Sequence, residues 1–150
     1  MSPAKWVASF LGSGLVPVAP GTVGSLAALP PGLALLWVSP TALAVGAVLV
    51  TGIGLWAVQA ARAGDDPGWV VIDEVAGQWI ALLALPHPSV LGALAAFAAF
   101  RLFDIAKPGP VGWAERLPGA LGVMADDVLA GALAAALVWA VRWAVPGLLD

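Results

Sequence analysis

Apolar residues in this chain run in long unbroken blocks and do not alternate with polar ones. Five blocks stand out: Gly24 to Val38, Thr41 to Ala61, Trp69 to Leu85, Ser89 to Phe103 and Val128 to Val145. Alternation at every second residue would argue for strands or a barrel, whereas continuous runs argue for helices. The separators are turn formers: Ser39-Pro40, a polar loop from Arg62 to Gly68, Pro86-His87-Pro88, and a Pro/Gly-rich loop from Asp104 to Ala125. Several blocks hold only about 15 to 17 residues, near the lower limit of roughly 17 for a full membrane span. Pro30-Pro31 also interrupts the first block. Blocks 24–38 and 69–85 are therefore candidates for broken or re-entrant segments. The expected architecture is an all-α, polytopic membrane bundle of about four to five short transmembrane helices. The opening MSPAKWVASFLGSG reads as an added interfacial helix, anchored by Lys5 and Trp6. No repeat or linker divides the chain, so residues 1–150 are expected to form one domain.

Composition turns that pattern into a membrane assignment. Hydrophobic residues make up 61% and charged residues 10%, against roughly a quarter charged in ordinary soluble domains. Mean hydropathy is +0.99. Too few polar groups remain to coat a soluble surface, so lipid must be the solvent for most of the chain. Abundant Gly and Ala suit helices that pack by close backbone approach. The absence of cysteine excludes disulfides, thiolate nucleophiles and sulfur-ligated metals. A net charge of −3 with no basic tract argues against nucleic acid as a partner.

The few cations fix an expected orientation. Lys5, Arg62, Arg101, Lys107 and Arg116 fall in the N-terminus or in alternate loops, while Ser39-Pro40 and Pro86-His87-Pro88 carry no Lys or Arg. The positive-inside bias assigns the charged loops to the cytoplasm. Arg142 dissents and is expected to snorkel. Five crossings would then leave the N-terminus inside, the C-terminus outside, and every acidic residue except Asp150 at or near the cytoplasmic face.

Those acids form three clusters. In VVIDEVAGQW, Asp73 and Glu74 stand inside an apolar run, with Gln78 on the same helical face as Glu74. Intramembrane carboxylates are costly and mark function by default; the alternative is a solvated first turn whose acids favour the helix dipole. In FRLFDIAKPGP, Arg101, Asp104 and Lys107 offer one metal-binding acid beside cations suited to phosphate, or ordinary i, i+3 ion pairs. In GVMADDVLAG, Asp126 and Asp127 precede the last block, where Asp126 would also serve as a helix cap. Carboxylates gathered at one face repel one another, and a divalent cation removes that cost. An all-oxygen donor set favours Mg²⁺ or Mn²⁺. A fourth string, GSGLVPVAPGTVGS, places Gly21, Thr22, Gly24 and Ser25 before the first block. Such a turn presents free amides and a positive dipole end to phosphate, or simply caps a helix through Thr22 or Ser25. His87, the sole histidine, falls in the turn assigned to the far side.

Taken together and in this order, APGTVGS (Ala19 to Ser25), IDEVAGQW (Ile72 to Trp79), FRLFDIAKPGP (Phe100 to Pro110) and GVMADDVLAG (Gly122 to Gly131) resemble the phosphatidylglycerophosphatase A family. The resemblance runs from about Gly12 to Gly131, with conservative departures such as Val111 after the second proline. It implies a Mg²⁺-dependent lipid phosphatase of the inner (cytoplasmic) membrane. Such an enzyme hydrolyses phosphatidylglycerophosphate to phosphatidylglycerol and phosphate, with its active site facing the cytoplasm. On that reading Asp73, Glu74, Asp104, Asp126 and Asp127 hold one or two Mg²⁺, and one carboxylate acts as general base. Arg101 and Lys107 steady the phosphoryl charge, and Gly21, Thr22, Gly24 and Ser25 bind phosphate or leaving group. Two other classes stand beside it. A cation transporter or channel would place carboxylates near the midplane of several helices, whereas here they stand at helix ends beside cations. A structural membrane protein gives no reason for the clustered acids.

Overall fold

The computed structural model describes residues 1–61, 63 and 67–150. The expected placement of Arg62, Asp65 and Asp66 in a charged loop lies outside the described residues. Among the described residues are seven α-helices, one short 3-10 turn and no strand. The helices are α1 (Pro3–Ala8), α2 (Pro20–Val38), α3 (Pro40–Ala60), α4 (Ile72–Leu82), α5 (Val90–Ala106), α6 (Pro110–Glu115) and α7 (Gly119–Ala144).

The boundaries follow from local chemistry. Pro20, Pro40 and Pro110 each open a helix, where the missing N–H costs nothing and the fixed φ suits the first turn. Ser39 ends α2 in an extended conformation, and its hydroxyl caps α3 by accepting from the Ala42 amide at 2.9 Å. Ser89 caps α5 in the same way through Gly92, at 3.0 Å. The expected break at Pro30-Pro31 does not occur, and α2 continues through both prolines. The Trp79 indole donates to the Ala28 carbonyl at 2.9 Å and ties this stretch of α2 to α4.

Among the described residues, three helices, α2, α3 and α7, are long and apolar enough to cross a membrane. Large apolar side chains such as Trp37, Val48, Val90 and Trp143 are exposed around the bundle, a surface suited to lipid. At 11 residues, α4 extends only about 16 Å and is too short to cross alone. It is instead the hub of the fold, packed against α2, α3, α5 and α7. Beyond its C-terminus, Pro86, His87 and Pro88 line the same cleft as Ser39 and Pro40.

Two further expectations are corrected. The Pro/Gly-rich stretch 104–125 is mostly helical, holding the end of α5, all of α6 and the first turns of α7. Asp104 therefore lies in the last turn of α5. Asp126 and Asp127 lie about two turns inside α7, with Pro118 and not Asp126 at its cap. The Arg142 Nη1 donates to the Ala84 carbonyl at 2.7 Å, and its Nε lies 3.6 Å from Asp150. The N-terminal segment forms α1, which buries Ala4 and Ala8 while Trp6 stays exposed. It packs on α3, and its Lys5 ammonium lies 5.0 Å from the centre of the Trp69 ring.

Candidate active site

The polar residues of α2, α4, α5 and α7 meet at one end of the bundle. Asp73 and Glu74 occupy the first turn of α4, where the positive dipole end favours carboxylates. This is the first-turn position expected of dipole-stabilised acids, but the turn is not solvated, since Asp73 is 5% exposed. Asp127 is brought alongside by the crossing of α4 and α7. Gly77 and Gly131 face each other there so closely that a Cβ on either would overlap the opposing backbone. One carboxylate oxygen from each of Asp73, Glu74 and Asp127 lies within 4.8 Å of the other two. Glu74 Oε2 and Asp127 Oδ2 are buried with no hydrogen-bond partner among the described residues.

The other two acids are engaged by cations. Asp104 pairs with Arg101 one turn earlier on α5 and lies 3.5 Å from Lys107 Nζ. Asp126 accepts from Lys107 Nζ at 2.8 Å through Oδ2, while its Oδ1 accepts the Asp127 amide at 2.9 Å. Lys107 reaches both from the left-handed conformation (φ 47°, ψ 57°) that ends α5, which costs a non-glycine residue about 1 kcal/mol or more. Burial alone disfavours the Lys107 ammonium. The hydrogen bond to Asp126 and the charges of Asp126, Asp104 and Asp127 outweigh that and raise its pKa above the ordinary lysine value. Glu115 of α6, which carries no recognisable signal in the sequence, adds a contact at 3.9 Å.

The N-terminus of α2 closes the remaining side. Ala19 precedes it at φ 48° and ψ 53° with no side chain capping the helix, so the first-turn amides of Gly21 and Thr22 receive no cap. A Cβ at Gly21 would stand 2.6 Å from Glu74 Oε1 and 3.4 Å from Arg101 Nη1; only glycine lets this turn approach both. Gly24 packs on Val71, and the buried Ser25 hydroxyl donates to the Gly21 carbonyl at 2.8 Å. Both shape the turn from beneath, and Ser25 caps no amide. His87 remains exposed in the turn at the other end.

Residues 6–142 match the family profile described as Phosphatidylglycerophosphatase A. The chain belongs to the phosphatidylglycerophosphatase A family. Its relatives include the phosphatidylglycerophosphatase A of Escherichia coli strain K12, 37% identical over 92% of this chain and 83% of that protein. The phosphatidylglycerophosphatase A of Haemophilus influenzae is 40% identical over 95% and 91%. A putative phosphatidylinositol-3-phosphatase of Bacteroides thetaiotaomicron is 44% identical over 89% and 90%. No solved structure matches. Membership of the phosphatidylglycerophosphatase A family makes this chain a membrane-bound phosphatase, and all four strings that carry the resemblance contribute to the one polar end.

Within this family member, the five acids divide three to two. Asp73, Glu74 and Asp127 form a group of hard oxygen donors that suits a metal ion, with Glu74 and Asp127 each offering an unpaired buried oxygen. Asp104 and Asp126 instead fix Arg101 and Lys107 beside that group. A carboxylate group that could hold a metal ion, flanked by two cations and an uncapped helix end, is chemically suited to a phosphate monoester.

Proposed function

We propose that this chain hydrolyses phosphatidylglycerophosphate to phosphatidylglycerol and inorganic phosphate at the cytoplasmic face of the inner membrane, using Mg²⁺. The observation that carries this reading is the convergence of Asp73, Glu74 and Asp127 beside Arg101, Lys107 and the first turn of α2, in a bundle with an apolar surface. The names of the Escherichia coli and Haemophilus influenzae relatives support the substrate. Lys5, Arg101, Lys107 and Arg116 all belong to the polar end, which supports the cytoplasmic orientation.

In this proposal Asp73, Glu74 and Asp127 hold the cation, with Asp104 and Asp126 supporting it through the neighbouring cations. When bound, Mg²⁺ supplies charge that neutralises phosphate oxygens and acidifies a water. Arg101 and Lys107 balance the rest of the phosphoryl charge. The Gly21 and Thr22 amides receive a non-bridging oxygen, on a turn whose shape Gly24 and Ser25 maintain. A site carboxylate accepts the proton of the attacking water, which displaces the glycerol oxygen directly. Single turnover in ¹⁸O-water tests this last point: label belongs in the phosphate, and label on an enzyme carboxylate would rule direct attack out.

The Bacteroides thetaiotaomicron relative favours a second reading, in which the monoester sits on an inositol lipid. Phosphate release from phosphatidylglycerophosphate, phosphatidylinositol 3-phosphate and phosphatidic acid, with and without Mg²⁺, separates the two. The first reading expects the highest kcat/KM on phosphatidylglycerophosphate and loss of turnover without the metal.

A further inference from the structure

Glu74 Oε2, Asp127 Oδ2, Arg101 Nε and both amide atoms of Gln78 are buried without a hydrogen-bond partner among the described residues. Glu74, Asp127 and Arg101 have places in the proposed reaction. Gln78 is the exception, since it neither holds the metal nor balances phosphoryl charge. It is fully buried, in the middle of α4, and a primary amide with neither atom paired is costly there.

Its position accounts for that cost. Gln78 follows Glu74 by one helical turn on the same face, and so lies about 6 Å deeper in the bundle. The residue before it, Gly77, packs directly against the Asp127 carbonyl. Gln78 therefore lies one turn below Glu74 on the same face of α4, where α4 crosses α7. The unpaired atoms of Glu74, Asp127 and Gln78 are complementary in kind. Carboxylate oxygens accept only, whereas a primary amide donates through Nε2 and accepts through Oε1. A single small group that bridges the Gln78 amide to one of these carboxylates must both accept from Nε2 and donate to a carboxylate oxygen, and water does so. A phosphate oxygen would satisfy Nε2 alone.

We infer that Gln78 orients the attacking water of the phosphatase reaction from beneath the carboxylates. The inference rests on the proposed direct hydrolysis. The water oxygen forms the new bond to phosphorus and the bond from phosphorus to the glycerol oxygen breaks. The water's proton passes to a site carboxylate and then to the departing glycerol oxygen, leaving the alcohol and hydrogen phosphate. Gln78 loses and gains no bond; its amide fixes the direction of approach.

The test uses the full chain in mixed micelles with phosphatidylglycerophosphate, and compares Gln78→Met and Gln78→Glu with the wild type. Met keeps the volume and removes both polar atoms, while Glu keeps an acceptor and removes the donor. Both variants are expected to lose kcat on the order of 100-fold, the scale of a misdirected reactant. KM and Mn²⁺ affinity, the latter read by electron paramagnetic resonance, should stay within about threefold of wild type. Gln78→Met should also melt no lower than wild type, because the amide it removes has no partner to lose. Wild-type kcat in either variant overturns the role, and so does a fall in Mn²⁺ affinity that matches the fall in rate. A wild-type protein that releases no phosphate overturns the reading of function itself. Turnover by the wild type alongside unimpaired variants removes Gln78 alone.

Discussion

The Lys107 ammonium donates to Asp126 Oδ2 at 2.8 Å, joining two residues 19 apart in the chain and binding the end of α5 to the inside of α7. The same ammonium lies 3.5 Å from Asp104, so one cation holds two acids that would otherwise join the excess of negative charge around Asp127. Because the Lys107 pKa is raised in the folded protein, this pairing contributes fully below the ordinary lysine value. It is lost only as pH rises through the raised one, so it is intact throughout the neutral range. Lys107→Met should lower stability by about 1–3 kcal/mol, the cost of leaving a buried acceptor unpaired. Adding Asp126→Asn should recover part of that loss. Thermal melts of the two variants in detergent check both statements.

Asp127→Asn should separate activity from folding. The Asp127 carboxylate is buried among other acids and its Oδ2 has no protein partner among the described residues. Removing its charge relieves repulsion while abolishing a proposed metal ligand. Turnover is expected to fall on the order of 100-fold or more, with the melting temperature equal to or above that of the metal-free wild type. Full turnover would exclude Asp127 from the metal group.

Metal binding should be visible without any substrate. A cation that binds only the folded chain stabilises it by about 2.7 kcal/mol at roughly one hundred times its dissociation constant. Mg²⁺ or Mn²⁺ should therefore raise the wild-type melting temperature, and EDTA should reverse the rise. Asp73→Asn and Glu74→Gln should blunt the response. A wild-type melt indifferent to both ions would mean that the three carboxylates hold neither.

Gly77→Ala should damage the site from outside it. The added methyl meets the Phe100 ring and the Asp127 carbonyl and pushes α4 away from α7. Overpacking of this kind costs about 1–3 kcal/mol, and it separates Glu74 from Asp127 at the same time. Lower stability together with lower kcat is expected, measured by melts and phosphate release. Loss of neither would place the helix crossing elsewhere.

The sequence exposes the helices more readily than their ends. Unbroken apolar runs mark α2, α3, α5 and α7, because lipid demands them. The 119–125 segment reads as a loop because Pro118, Gly119 and Gly122 continue a Pro/Gly-rich stretch, yet it forms the start of α7 and carries Asp126 and Asp127 into the bundle. Pro30 and Pro31 suggest a break that neighbouring helices prevent. The acids and the Gly21 turn are legible as candidates, since burying carboxylates and cations in so apolar a chain is costly unless they serve a site. Their division is not legible. The Arg101–Asp104 pair shows in its i, i+3 spacing, but Lys107 and Asp126 meet only once α5 and α7 are side by side. The glycines that bring Asp127 to Glu74 look in the sequence like any of the others.

The crossing of α4 and α7 also bears on the life of the newly made protein. Asp73 and Glu74 emerge on α4, well before their partner Asp127 on α7. Beyond α7, the Leu149 carbonyl accepts from the Ser89 hydroxyl at 2.7 Å, over the start of α5. A partly inserted chain thus carries two acids of the trio and lacks the third. On the proposed reading, the capacity to capture a cation therefore comes only once α7 is seated against α4.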